Sequence, residues 1–280
     1  MKKLLALALA LVMLSGLTAL AADGGVLTVA LSPDFAPMEF IDISKTGDDQ
    51  YVGFDVTLAK FIAAELGMTL KIKPMSFDAC QTAVQVGAVD MSISGYSWTE
   101  ERAKNFNLSD YYYAGDNETE QVVIVKAEEA GKYSKPEDFA GKVVAAQAAS
   151  LQYDLVTKQL PQSELKEFKV IDDAVMALMS GKVDAVAVAM GNGESIIANN
   201  PAIGMSGFSF EVDEKAENNV VMIQKGNDEL LAKVNAALAK AYEQKLYGGW
   251  YEEAKALAGI DTAKQVSYTE DGQVAEDQPQ

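Results

Sequence analysis

Twice in this chain an apolar helical run opened by Asp-Ala ends in a Gly-x-Val-Asp turn and passes straight into a short strand. The first copy runs from Asp78-Ala79 to Gly87-Ala88-Val89-Asp90 and Met91-Ser92-Ile93. The second runs from Asp173-Ala174 through Val175-Met176-Ala177-Leu178-Met179 to Gly181-Lys182-Val183-Asp184 and Ala185-Val186-Ala187-Val188. A helix, a tight turn and a strand, repeated at nearly equal length, constrain the chain to α/β order and point to two similar lobes. The remaining pattern agrees. Val26 to Leu31 reads as a strand, and Leu58, Phe61, Ile62 and Leu66 give a helix closed by Gly67. Leu70-Lys71-Ile72, Val122 to Val125, Phe208 to Val212 and Val220 to Ile223 read as further strands. A long C-terminal helix follows Asp228 and Glu229, with Leu230, Leu231, Val234, Leu238 and Tyr242 as its apolar face.

The N-terminus sets the compartment. Met1-Lys2-Lys3, an apolar run from Leu4 to Leu14 and the small residues Ala19-Leu20-Ala21 form a secretory signal over residues 1–22, cut after Ala21 or Ala22. No cysteine follows the apolar run, so lipid attachment has no acceptor there, and the mature chain is expected to be a soluble, extracytoplasmic or periplasmic monomer. The only cysteine, Cys80, lies in a helical run and reads as a buried thiol. The chain has no histidine, which excludes a Ser-His-Asp triad and a His-ligated zinc site. No metal or cofactor is expected. A net charge of −18, more negative still once Lys2 and Lys3 are removed, repels nucleic acid and anionic lipid. Binding an anionic ligand in that field requires a local, well-placed cation.

One stretch offers such a cation. Ser94-Gly95-Tyr96-Ser97-Trp98-Thr99-Glu100-Glu101-Arg102 follows a strand and starts a helix at about Thr99. Free backbone N–H groups cluster at such strand ends, and an arginine fork matches a carboxylate bidentately. Read locally, Arg102 is equally well a solvated helix residue paired with a nearby glutamate. Trp98, Trp250, Met176, Met179 and Met190 read as packing, and Asp90 and Asp184 as turn-stabilising residues.

Motifs in order along most of the chain resemble the extracytoplasmic solute-binding proteins of polar amino acid ABC transporters, the bacterial solute-binding protein family 3. They are Phe35-Ala36-Pro37-Met38-Glu39-Phe40, Val52-Gly53-Phe54-Asp55-Val56, Ser76-Phe77-Asp78-Ala79, Gly87-Ala88-Val89-Asp90, Ser94-Gly95, Thr99-Glu100-Glu101-Arg102 and Leu108-Ser109-Asp110-Tyr111-Tyr112. The resemblance implies an α/β, two-lobed periplasmic-binding-protein fold of type II joined by two hinge crossings. Lobe 1 would take residues 25–117 and 218–259, lobe 2 residues 118–217, and an acidic tail residues 260–280. The implied function is to close on an amino acid or related small carboxylate and deliver it to an ABC-transporter permease, without catalysis.

Carried over position by position, the resemblance makes Arg102 the clamp on the ligand carboxylate. Tyr96, Ser97 and the backbone at Ser94 and Gly95 lie beside it, and Phe35 and Phe77 form apolar walls or ordinary core. In Gly141 to Ser150, Ser150 either caps the carboxylate from the second lobe or serves as a helix N-cap, and Ala148 stands where the family has glycine. Ala189 stands where the family places the aspartate that holds the ligand's ammonium group. Either another acid does that work, with Glu194, Asp116 and Glu118 as candidates, or the ligand lacks a free α-ammonium; Asn192 is near enough for a neutral contact. Two rivals share the scaffold: a cyclohexadienyl dehydratase-like enzyme, and a sensor acting through a separate signalling partner.

Overall fold

The computed structural model describes residues 24–113, 115 and 120–260. The leader read in 1–22, the acids Asp116 and Glu118, and the tail beyond residue 260 lie outside them.

The first lobe begins with β1 (Val26–Leu31), whose apolar run is almost wholly buried. A small antiparallel sheet follows, β2 (Asp34–Phe35), β3 (Glu39–Ile41) and β4 (Tyr51–Val52). Then come α1 (Phe54–Glu65), β5 (Thr69–Pro74), α2 (Phe77–Gln85), β6 (Met91–Ser92), α3 (Glu100–Asn105) and β7 (Phe106–Leu108). After a crossing, the second lobe is built from β8 (Gln121–Lys126), β9 (Val143–Gln147), α4 (Leu151–Gln159), β10 (Glu164–Phe168), α5 (Ile171–Met179), β11 (Ala185–Ala189), α6 (Met190–Asn199) and β12 (Ile203–Ser209). The chain then returns to the first sheet through β13 (Met222–Gln224) and ends in α7 (Asp228–Glu243) and α8 (Leu246–Leu257).

The repeat seen in the sequence is a repeat of topology. The sheets run β5-β1-β6-β13-β7 and β10-β9-β11-β8-β12. In each, three parallel strands in 2-1-3 order are followed by antiparallel ones: β13 beside β6, and β8 beside β11. The two turn aspartates do the same job in both. Asp90 Oδ2 accepts from Thr28 N at 2.7 Å and Asp184 Oδ2 from Val143 N at 2.8 Å, tying each turn to a neighbouring strand. Each sheet has its own apolar core, centred on residues such as Phe54, Leu58, Ile62 and Tyr251 in the first lobe and Val123, Phe139, Val144 and Phe208 in the second. The crossings lie side by side: Tyr112 N donates to Asn219 O at 3.0 Å, and Asn219 bridges Ser97 as well.

Several expectations change. The strand expected over 208–212 runs over Ile203–Ser209, because pairing with β8 fixes its register, with an irregularity between Met205 and Ser209. Met176 and Met179 do not pack: they are 66% and 50% exposed, since α5 turns Ile171, Ala174, Val175 and Leu178 inward. Tyr242 is likewise exposed, at the last turn of α7. Trp250 packs on Phe61 with ring centres 5.3 Å apart, and Cys80 is buried, its thiol pushed up to about 12 by desolvation.

Candidate functional site

The lobes meet across a cleft that encloses a small cavity. From the first lobe it is lined by Phe35, Phe77, Ser94, Gly95, Ser97 and Arg102; from the second by Gln147, Ser150, Leu151, Gln152, Ile171, Ala187 and Val188.

Arg102 is buried, although it lies only two residues into a helix opened by the Thr99 side chain. Its Nη1 donates to Ser97 O at 2.7 Å, and its Nη2 crosses the cleft to Ala149 O at 3.1 Å. Its guanidinium carbon lies 5.6 Å from the Phe77 ring centre and 5.4 Å from that of Tyr96, held by the aromatic faces. Burial lowers its pKa from the ordinary guanidinium range; Tyr96, Asp154 and Glu101 oppose the shift. None of these acids forms an ion pair with it. Among the described residues, the guanidinium is a buried cation with carbonyl partners and no carboxylate at ion-pair distance. That arrangement stabilises a negative group brought into the cavity.

Around it, the fold separates expected donors that remain available from those already engaged. The Ser94 hydroxyl accepts from Ser32 N and donates to Glu39 Oε1. Gly95 N donates to Asp55 Oδ2 at 2.7 Å. The expected donation from the Gly95 backbone is therefore taken up within the lobe. Ser150 Oγ accepts from Tyr153 N and donates to Gln147 O, so this hydroxyl is the N-cap of α4. The first-turn N–H groups of Leu151 and Gln152 have no intrahelical acceptor, and both residues line the cavity. Ser97 lines it too, its hydroxyl engaged by no described residue.

Two expected site residues lie elsewhere. Tyr96 is fully buried behind Arg102, with its hydroxyl on Ser92 Oγ at 3.0 Å, and does not line the cavity. Asn192, in the first turn of α6, is 2% exposed and sends Nδ2 across to Ala36 O at 3.1 Å, so it ties lobe to lobe. Ala189 ends β11 buried, and Glu194 lines no part of the cavity. In the turn that leads into α4 the left-handed residue is Ala149, at φ 58°, and not Ala148 at the glycine-like position.

Asp34 and Gln147 were missed by the sequence reading. Asp34 reaches from β2 to Ile171 N at 2.8 Å and Gln147 Nε2 at 3.0 Å, capping α5 from the opposite lobe. Desolvation raises its carboxyl above the usual range despite these bonds. The only available signal was an acid beside an aromatic in a short loop after a strand. Gln147 also donates Nε2 to Lys169 O, which leaves its Oε1 as an acceptor.

The sequence matches the bacterial extracellular solute-binding proteins, family 3, over residues 27–253. This chain belongs to that family. Among solute-binding relatives, the arginine-binding extracellular protein ArtP of Bacillus subtilis is 29% identical over 235 residues, covering 82% of this chain and 87% of ArtP. The probable histidine-binding protein of Campylobacter jejuni is 28% identical over 229 residues, covering 78% and 84% respectively. The solved structure of the substrate-binding protein AbpA of an amino acid ABC transporter from Streptococcus pneumoniae, bound to L-arginine, superposes with a TM-score of 0.75. That pair shares 35% identity, over 86% of this chain and 98% of AbpA. The two-lobed type II fold of the solute-binding proteins is thus the fold of this chain.

Proposed function

We propose that this chain binds an amino acid or a closely related small carboxylate in the inter-lobe cavity and presents it to the permease of an ABC importer, as a binder and not an enzyme. The observation that carries this reading is Arg102, a buried guanidinium with no carboxylate at ion-pair distance among the described residues, facing a cavity between two lobes. The ligand's carboxylate lies between the Arg102 fork, the Ser97 hydroxyl and the first-turn amides of α4 at Leu151 and Gln152. Phe35 and Phe77 flank its hydrocarbon part. Because the donors come from both lobes, only the closed arrangement makes all the contacts, and ligand binding favours closure.

No carboxylate lines the cavity among the described residues. An ammonium group on the ligand is therefore received by neutral acceptors such as Gln147 Oε1, and charge selectivity rests on the carboxylate. The relatives named for arginine and histidine place amino acids foremost among candidates. The leader read in residues 1–22 and the family's description as extracellular support a mature protein that works outside the cytoplasm.

A thermal-shift screen of residues 23–280 against the standard amino acids, their N-acetyl and deaminated analogues and short dicarboxylates tests this, with Arg102→Ala alongside. Ligand at about 100 times its Kd adds roughly 2.7 kcal/mol to stability and raises the midpoint by several degrees. We expect a hit among the carboxylates that Arg102→Ala weakens by about a hundredfold or more, because charged hydrogen bonds contribute about 1.5–3 kcal/mol each. No hit, or a hit insensitive to Arg102→Ala, rejects the carboxylate site.

A further inference from the structure

Directly beneath the cleft floor lie two carboxyls, Glu39 on β3 and Asp55 in the first turn of α1, both with zero exposure. Each holds one residue of the floor. Glu39 Oε1 accepts from Ser94 Oγ. Asp55 Oδ2 accepts from Gly95 N at 2.7 Å and Tyr112 OH at 3.0 Å. The remaining oxygens, Glu39 Oε2 and Asp55 Oδ1, are buried and have no hydrogen-bond partner. The two carboxyls are close enough for the charge of Asp55 to act on Glu39.

Two carboxylate anions cannot bond to each other, since neither carries a proton to donate. The titratable groups facing the pair are Asp34 from β2, Tyr96 from the segment after β6 and Tyr112 from the segment after β7. All three are acids. Neither carboxyl joins an ion pair among the described residues. Two adjacent buried negative charges would face a large desolvation penalty with no cation to offset it.

We infer that Glu39 and Asp55 share a proton between Oε2 and Oδ1, and that this carboxyl–carboxylate pair is the pedestal positioning Ser94 and Gly95 at the cleft floor. The proton turns a repulsive contact into a hydrogen bond between β3 and α1. Both outer oxygens stay free to accept, so one shared proton fixes both floor residues at once. Burial is the largest cause of a rise in both carboxyls, Asp55 to about 7 and Glu39 well above the ordinary carboxylate range. Functionally the inference rests on the carboxylate-binding reading of the cleft; its test uses no ligand, so the two fail separately.

The sign of the pH dependence follows. Acids raised in the folded state keep protons that the unfolded chain has released, so stability is full below the ordinary carboxylate range. It is lost as pH rises through the folded values, from about 4 into the neutral range. For each such proton the unfolding constant rises about tenfold per pH unit. Glu39→Gln and Asp55→Asn each replace the shared proton by an N–H donor while keeping the outer oxygen as acceptor.

The experiment is denaturant unfolding of residues 23–280 between about pH 5 and pH 9, comparing wild type, each single variant and the double variant. We expect both single variants to fold, with a pH slope shallower than wild type by about one proton. The double variant, which points two NH2 groups at one another, is expected to lose more stability than the single losses combined. A single-variant slope equal to wild type, additivity in the double variant, or failure of both single variants to fold overturns the inference.

Discussion

Ala149 is in the left-handed region at φ 58°, which costs an L-residue about 1–2 kcal/mol relative to an ordinary conformation. Its position explains why. The carbonyl it turns outward accepts from Arg102 Nη2 at 3.1 Å and from Gln81 Nε2 at 3.2 Å, both across the cleft. Ala149→Gly keeps the carbonyl in place, relieves the side-chain clash and adds backbone entropy to the unfolded chain of about 0.5–1 kcal/mol. The expected net effect is a stabilisation of up to about 1 kcal/mol, read from the denaturant midpoint. Gly95 has the opposite requirement: at φ +55° a Cβ would lie 2.6 Å from the Phe35 ring. Gly95→Ala should therefore displace the aromatic wall and weaken the screen hit by at least about tenfold, roughly 1.4 kcal/mol, measured by calorimetry. Arg102 and Phe35 were readable from the motifs that surround them. Their surroundings were not, because the bonds of Ser94, Gly95 and Ser150 depend on acceptors that come near only on folding.

At the scale of elements, the two copies of helix, glycine turn and strand make the same tie through different neighbours. Asp90 accepts from both the amide and the hydroxyl of Thr28, whereas Asp184 accepts from the Val143 amide with Lys142 3.5 Å away. Asp90→Ala removes two charge-assisted bonds and is expected to cost about 2–3 kcal/mol; Asp184→Ala should cost about 1–2. Urea unfolding of both variants checks the order. The helices themselves were legible because buried spacing is local. α1, α2, α5 and α7 all appear where apolar periodicity places them. Periodicity failed at Met176, Met179 and Tyr242, which belong to helical runs but face away from the packed side. A methionine on an exposed face has the same sequence signal as one in the core; only the neighbouring sheet distinguishes them.

At the scale of the whole molecule, the lobes are held together by a small set of polar contacts. Among the described residues they include Asp34 to Ile171 and Gln147, Arg102 and Gln81 to Ala149, Asn192 to Ala36, Asn199 to Ala258, and a wider Lys169–Asp78 pair at 3.9 Å. Each hydrogen bond contributes about 0.5–1.5 kcal/mol to the closed arrangement. Asp34→Ala combined with Asn192→Ala should shift the balance towards separated lobes by one to two orders of magnitude, about 1.4–2.8 kcal/mol. Solution scattering is expected to show a larger radius of gyration for that variant, with the separate lobe cores intact by circular dichroism.

The sequence by itself determined the α/β order, the repeated unit, the family and the arginine at the start of α3. Each of these is written in residues close together along the chain, through apolar period, turn glycines and helix-starting hydroxyls. Only the tertiary structure decided what those residues touch. Asp34 meets Gln147 and Ile171 across 113 and 137 positions of chain, and Asn192 meets Ala36 across 156. Glu39 and Asp55 were visible as motif letters, but not as a buried pair under the cleft. Their meeting depends on β3 and α1 packing face to face. No local pattern encodes a contact whose partners are brought together by the closing of one lobe on another.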